Sequence, residues 1–179
     1  MIIVLEAENT DQGIALAQCL KEETKHLSCI LSVGIGRPYT APADLHRSFV
    51  EAEEALHIGR ALGEAGQITA FSNLGLFHWL YHLPPECQED NIYLQKVNIL
   101  FAHDTAHHSD LLPTLEAYLD RGGNALQTAK DLFIHRNTLL YRLAKIEKLC
   151  QIDLTDPLER LNMQVAIKNW RLQRLQRDG

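Results

Sequence analysis

Apolar residues alternate between two spacings along this chain. Ile2–Leu5, Leu27–Ile35 and Ile68–Phe71 are short, nearly continuous apolar runs. The second carries Cys29, Ile30, Leu31, Val33 and Ile35. Runs of this length suit buried strands. Between them the spacing becomes helical. Ile14, Leu16, Ala17 and Leu20 follow Thr10, a candidate cap, and Leu45, Phe49, Ala52 and Leu56 precede Gly63 and Gly66, which end their helix. Gly34 and Gly36 mark a bend or a close backbone approach. Ser72 or Asn73 is a candidate cap for a short helix over Leu74–Tyr81. The predicted order is β-α-β-α-β followed by a helix.

Leu83-Pro84-Pro85-Glu86 interrupts both patterns. A connecting helix is predicted over Ile92–His103, and beyond Asp110 the pattern is helical throughout. Turns are predicted at Gly122-Gly123-Asn124, near Phe133-Ile134 and over Ile152–Asp156. The expected fold class is α+β, mainly α. The expected domains are an α/β unit over 1–83, a linker with a helix over 84–110, and an all-α unit over 111–179.

Asn124–Leu149 is the most informative stretch, reading as a short helix, a tight turn and a longer helix. Leu126, Ala129, Leu132 and Phe133 share one face of the first, with Ala129 small enough for a close helix crossing. Leu139, Leu143 and Ile146 form a core stripe on the second. Asn137, Tyr141, Ala144, Lys145 and Lys148 fall opposite, and His135 and Arg136 sit at the helix start. A helix of this kind presents its first turn to the major groove of double-stranded DNA. Asn137 suits an adenine edge and Arg136 a guanine edge. Thr138, Arg142, Lys145 and Lys148, with the amides near Gln127 and Thr128, suit phosphate oxygens. Leu140 either touches a thymine methyl or packs on a neighbouring helix. The same pattern also fits a three-helix core with a merely solvated basic face.

Asp156-Pro157-Leu158-Glu159 reads as a cap, a proline at the first helical position and an acid in the first turn. Leu158, Leu161, Val165, Leu172 and Leu175 line one side of the helix that follows, and Ile167 and Trp170 form a second strip. This helix either covers the core or contributes to a dimer.

Charge sharpens the division. Residues 1–110 hold 6 Lys/Arg against 15 Asp/Glu, whereas residues 111–179 hold 11 against 8. A basic end on an acidic body fits a nucleic-acid partner. No apolar run is long enough to span a membrane, and the N-terminal run lacks the basic start of a signal peptide. A cytoplasmic location is expected. Cys19, Cys29, Cys87 and Cys150 form no CxxC pair and read as free thiols.

The motif Y-L-D-R-G-G-N at 118–124, then T-A-K-D-L-F-I-H-R-N-T-L-L-Y-R-L at 128–143, K-I-E-K-L at 145–149 and D-L-T-D-P at 153–157, closely resembles the C-terminal helix-turn-helix of PucR/CdaR-type regulators. The resemblance implies DNA binding, with His135 to Arg142 at the groove. V-G-I-G-R at 33–37, L-H-R-S-F-V-E-A-E-E-A-L at 45–56 and I-T-A-F-S-N-L-G-L at 68–76 resemble the degenerate GGDEF-like domain that precedes it in that family, here expected to be truncated. No GGDEF signature occurs, and no enzymatic activity or cofactor is expected. The expected function is transcriptional regulation as a homodimer, through an unpaired sheet edge. The alternative is a protein-interaction module that modulates a full-length regulator. Phe133 stands where such turns favour glycine, which implies altered geometry or strain.

His103 and His107, like His78 and His82, have i, i+4 spacing, but neither pair lies in an HExxH pattern. They read as packed or exposed histidines, so no metal ligand is assigned. No nucleophile–base pair or phosphate loop stands out.

Overall fold

The computed structural model describes residues 8–27, 30–63, 65–84, 86 and 90–178. The chain forms two compact units, one of residues 1–82 with 171–179 and one of residues 83–170. No helix among the described residues is long and apolar enough to cross a membrane.

The first unit runs α1 (Thr10–Glu23), β1 (Val33–Ile35), α2 (Leu45–Leu62), β2 (Ile68–Ala70) and α3 (Leu76–Tyr81). The two strands are parallel, with Val33 opposite Ile68 and Ile35 opposite Ala70. Gly34 and Gly36 let β1 lie directly on α2. A Cβ at Gly34 would fall 2.0 Å from the Ala52 carbonyl oxygen, and one at Gly36 1.9 Å from that of Ser48. Ala55, Ile58 and Ala61 of α2 are buried, as are Ala17, Ala70, Leu74 and Leu80 of the same unit. At the end of β1, Arg37 is bound by Glu51 of α2, with Nε to Oε1 at 3.0 Å, and Tyr39 donates to the same oxygen at 2.6 Å. Burial pushes the Glu51 carboxyl up, but the hydrogen bonds from Arg37 and Tyr39 outweigh it and hold the group below its usual range.

Some boundaries differ from the sequence expectation. The predicted strand over Ile2–Leu5 and residue Cys29 lie outside the described residues. Among the described residues of the strand expected over Leu27–Ile35, Val33–Ile35 are in a strand. Asn9, not Thr10, caps α1 by accepting from the Gln12 amide at 3.0 Å. Ser72 and Asn73 do not cap α3. They lie in a 3-10 turn over Phe71–Asn73, and Gly75, at φ +52, turns the backbone into the helix.

The second unit contains α4 (Ile92–His107), α5 (Leu111–Asp120), α6 (Ala125–Asp131), α7 (Arg136–Cys150) and the greater part of α8 (Pro157–Asp178). Asn91 caps α4 by accepting from the Tyr93 and Leu94 amides. Val97 and Leu100 of α4 are fully buried, with Leu111 and Leu115 of α5, Leu139 and Ile146 of α7, and Met163 and Ile167 of α8. The corner between α4 and α5 is held by one carboxylate. Asp104 accepts from the Leu111 and Leu112 amides, both at 2.8 Å, and from the Ser109 hydroxyl at 2.6 Å. These are amides at a helix start that the helix itself leaves unsatisfied.

The start of α8 follows the sequence expectation: the Leu158 amide donates to Asp156 Oδ1 at 2.9 Å, with Pro157 and Glu159 in the first turn. Its buried face follows the expectation only in part. Leu158 and Leu161 are 62% and 54% exposed, whereas Leu172 of the same strip is buried, as is Ile167 of the second strip, with Met163 and Ala166 buried and Trp170 half-buried. Met163, Ala166, Ile167 and Trp170 have the i, i+3, i+4, i+7 spacing of an inward stripe. Lys168 pins this helix to α5 through Glu116 at 2.9 Å and Asp120 at 2.7 Å. Burial pushes the Cys150 thiol up to about 11, so it is a protonated thiol at neutral pH.

Candidate nucleic-acid interface

Two helix starts and one strained turn build this site. Asn124 caps α6, its side chain accepting from the Gln127 amide at 3.0 Å. At the far end of α6 the backbone reverses at Phe133, φ +53, and the Ile134 amide closes back on the Ala129 carbonyl at 3.0 Å. His135 then caps α7: its Nδ1 accepts from the Asn137 amide at 3.2 Å. In the neutral ring this leaves the proton on Nε2.

Inside the turn, Ala129 is buried, and Leu139 and Ile146 have no accessible surface. Each of those two side chains contributes roughly 1.5–3 kcal/mol by burial. They fix the roll of α7 about its axis. The opposite side therefore faces outward, carrying Asn137, Tyr141, Ala144 and Lys148, and Arg136 and Thr138 lie in the open first turn, all exposed. Among the described residues, the side chains of Arg136, Asn137, Thr138, Tyr141 and Lys148 have no hydrogen-bond or ionic partner. His135 is exposed and Lys145 partly so. The Lys145 ammonium lies near enough to His103 to help hold that imidazole below its usual value, after burial, the larger cause.

Three sequence assignments change. Thr128 is fully buried, and its hydroxyl donates to the Asn124 carbonyl at 2.8 Å, so it faces the interior of the helix pair. The amides at Gln127 and Thr128 are not open donors. Both are satisfied by Asn124, and the Gln127 side chain donates to Asp131 at 2.9 Å. Arg142 is turned back toward α5, where its guanidinium donates to Thr114 Oγ1 at 2.9 Å and pairs with Asp110 at 3.4 Å. It braces α7. Leu140, left open between groove and packing, is 41% exposed.

The apolar face assigned to α6 is also revised. Leu126 is 60% and Phe133 96% exposed. A non-glycine residue in the left-handed region is disfavoured by contact of Cβ with the backbone. With almost no surface to bury, Phe133 gains little packing in return. Phe133→Gly relieves about 1–2 kcal/mol of left-handed strain against roughly 0.5–1 kcal/mol of added chain entropy, so a small net stabilisation is expected, read as a higher urea midpoint at constant slope. An unchanged or lower midpoint would show that the left-handed strain does not exceed the entropy cost.

Comparison with known proteins matches two separate stretches of the chain. Residues 111–168 match the PucR C-terminal helix-turn-helix domain, and residues 1–58 match the GGDEF-like domain. The chain is 28% identical over 176 residues to the DNA-binding transcriptional activator AdeR of Bacillus subtilis, covering 93% of this chain and 41% of that protein. It is 33% identical to the proline-responsive transcriptional activator PutR of the same organism, over 69% of this chain and 30% of the relative. The purine catabolism regulatory protein of B. subtilis is 32% identical, over 79% of this chain and 26% of the relative. The chain thus spans less than half the length of these relatives. No solved structure matches it.

Proposed function

Because the chain belongs with the PucR/CdaR-type regulators, carrying their helix-turn-helix domain over residues 111–168, we propose that it binds double-stranded DNA sequence-specifically and regulates transcription. One observation carries this reading. The first turns of α7 hold Arg136, Asn137, Thr138 and Tyr141 outward and without internal partners, on a helix whose roll is fixed by buried Leu139 and Ile146. In the major groove Arg136 reads a guanine edge and Asn137 an adenine edge, while His135, Thr138, Tyr141, Lys145 and Lys148 lie toward the backbone. Gln127, at the start of α6, is exposed. Thr128 and Arg142 support the helix pair from within.

The reading includes a homodimer acting in the cytoplasm, since two symmetric reading heads engage two half-sites about one helical turn apart. It assigns the chain no catalytic step.

Selection of bound sequences from random duplex DNA by the full chain tests the proposal. The expected result is an enriched motif with two related half-sites. Recovery of sequences indistinguishable from the starting pool would overturn it. Lys148→Ala should weaken all duplexes alike and reduce the slope of log affinity against log salt by about 1, measured by fluorescence anisotropy across a salt series. A slope equal to that of the unsubstituted protein would remove Lys148 from the phosphate contacts.

A further inference from the structure

The first unit holds a cluster that DNA binding does not use. Glu54 lies on the inner side of α2 and is 9% exposed. The chain returns to it through β2 and the 3-10 turn over Phe71–Asn73, which places His78 on α3 and His82 just past its end. Glu54 Oε1 lies 2.5 Å from His78 Nδ1, and Oε2 lies 3.0 Å from His82 Nε2. The three donor atoms fall within 4.8 Å of one another.

We propose that Glu54, His78 and His82 form a binding site for a divalent transition-metal ion, zinc above all. Two imidazole nitrogens and one carboxylate oxygen are a donor set that zinc accepts, with a fourth position left for water or an incoming ligand. Magnesium and calcium prefer all-oxygen sites. The histidine side chains are 39% and 58% exposed, so the cluster has an open side by which an ion enters.

Charge points the same way. Glu54 is a carboxylate nine-tenths buried, and among the described residues its ionic partners are these two histidines alone, with no lysine or arginine. A buried carboxylate needs a compensating positive charge. Neutral imidazoles supply hydrogen bonds but no charge, whereas a divalent ion supplies it and takes the place of the two N–H protons, which move to His78 Nε2 and His82 Nδ1 as the rings change tautomer. The rings are also braced. The Phe71 ring meets His78 edge-on at 5.1 Å between centroids, and Tyr81 meets His82 at 5.3 Å and 90°.

The other i, i+4 pair lacks these features. His103 and His107 stack at 4.3 Å, His103 Nδ1 faces Ser109, and His107 Nδ1 faces the His103 carbonyl. The signal that separates the pairs is Glu54, which lies 24 residues before His78 and which histidine spacing alone does not reveal.

The test titrates the full chain, stripped with chelator, with zinc chloride by calorimetry, and repeats it with cobalt(II) to read the visible bands of the bound ion. The expected result is saturable binding at one site per chain, with H82A and E54Q each weakening it by at least about tenfold and the cobalt bands lost. His82 is more than half exposed, so H82A should keep its fold by circular dichroism and serves as the deciding variant. No saturable zinc binding, or equal affinity in H82A and the unsubstituted protein, would overturn the assignment.

Discussion

Replacing Arg136 and Asn137 together with alanine is expected to abolish discrimination between a selected operator and random duplex DNA while leaving the fold intact. Each contact to a base edge is worth about 1–3 kcal/mol of discrimination, and the two are adjacent, so their sum is an upper bound. The expectation of an intact fold follows from exposure. Neither side chain has an internal partner, and the cap of α7 uses His135 and only the backbone amide of residue 137. Competition gel shifts, with circular dichroism on the same samples, separate the two effects. Full retention of operator preference in the folded double variant would remove α7 from the groove.

Leu139→Ala should have the largest effect on stability. Leu139 has no accessible surface and lies on α7 within the common core of α4, α5, α7 and α8. Truncation there loses transfer energy and leaves a cavity, for an expected cost of about 2–5 kcal/mol. That is a large part of the stability of an ordinary domain, about 5–15 kcal/mol. Urea denaturation followed by far-ultraviolet dichroism checks it, and DNA affinity should fall only in proportion to the unfolded fraction. A loss under about 1 kcal/mol would mean that the α7 stripe is loosely packed.

What the sequence reveals depends on how local the deciding interaction is. The stripe Leu139, Leu143 and Ile146 spans two turns of a long helix, and its period alone orients α7. The Asp156-Pro157 start of α8 is equally local, and both appear as expected. α6 has only seven residues, too few for the period to fix a face, so Leu126 and Phe133 were expected inside and lie outside. Arg142 looks like any exposed basic residue until Asp110 and Thr114, 32 and 28 residues earlier, fold against it. On α8 members of both apolar strips are buried, Ile167 of one and Leu172 of the other, and the ties of Lys168 to Glu116 and Asp120 of α5 come from residues about 50 positions earlier. Glu54 is a similar case: its partners are His78 on α3 and His82 just past the end of that helix, 24 and 28 residues later.

The Asp104 corner bears on how such proteins are recombined. A graft of the helix-turn-helix domain cut at Leu111 would leave behind Val97 and Leu100, opening a greasy wall to water, and would strip the Leu111 and Leu112 amides of their acceptor. The portable module is longer than the helix-turn-helix motif itself. Chimeras that exchange heads between regulators should be spliced ahead of Asn91, so that the supporting helix travels with its cap.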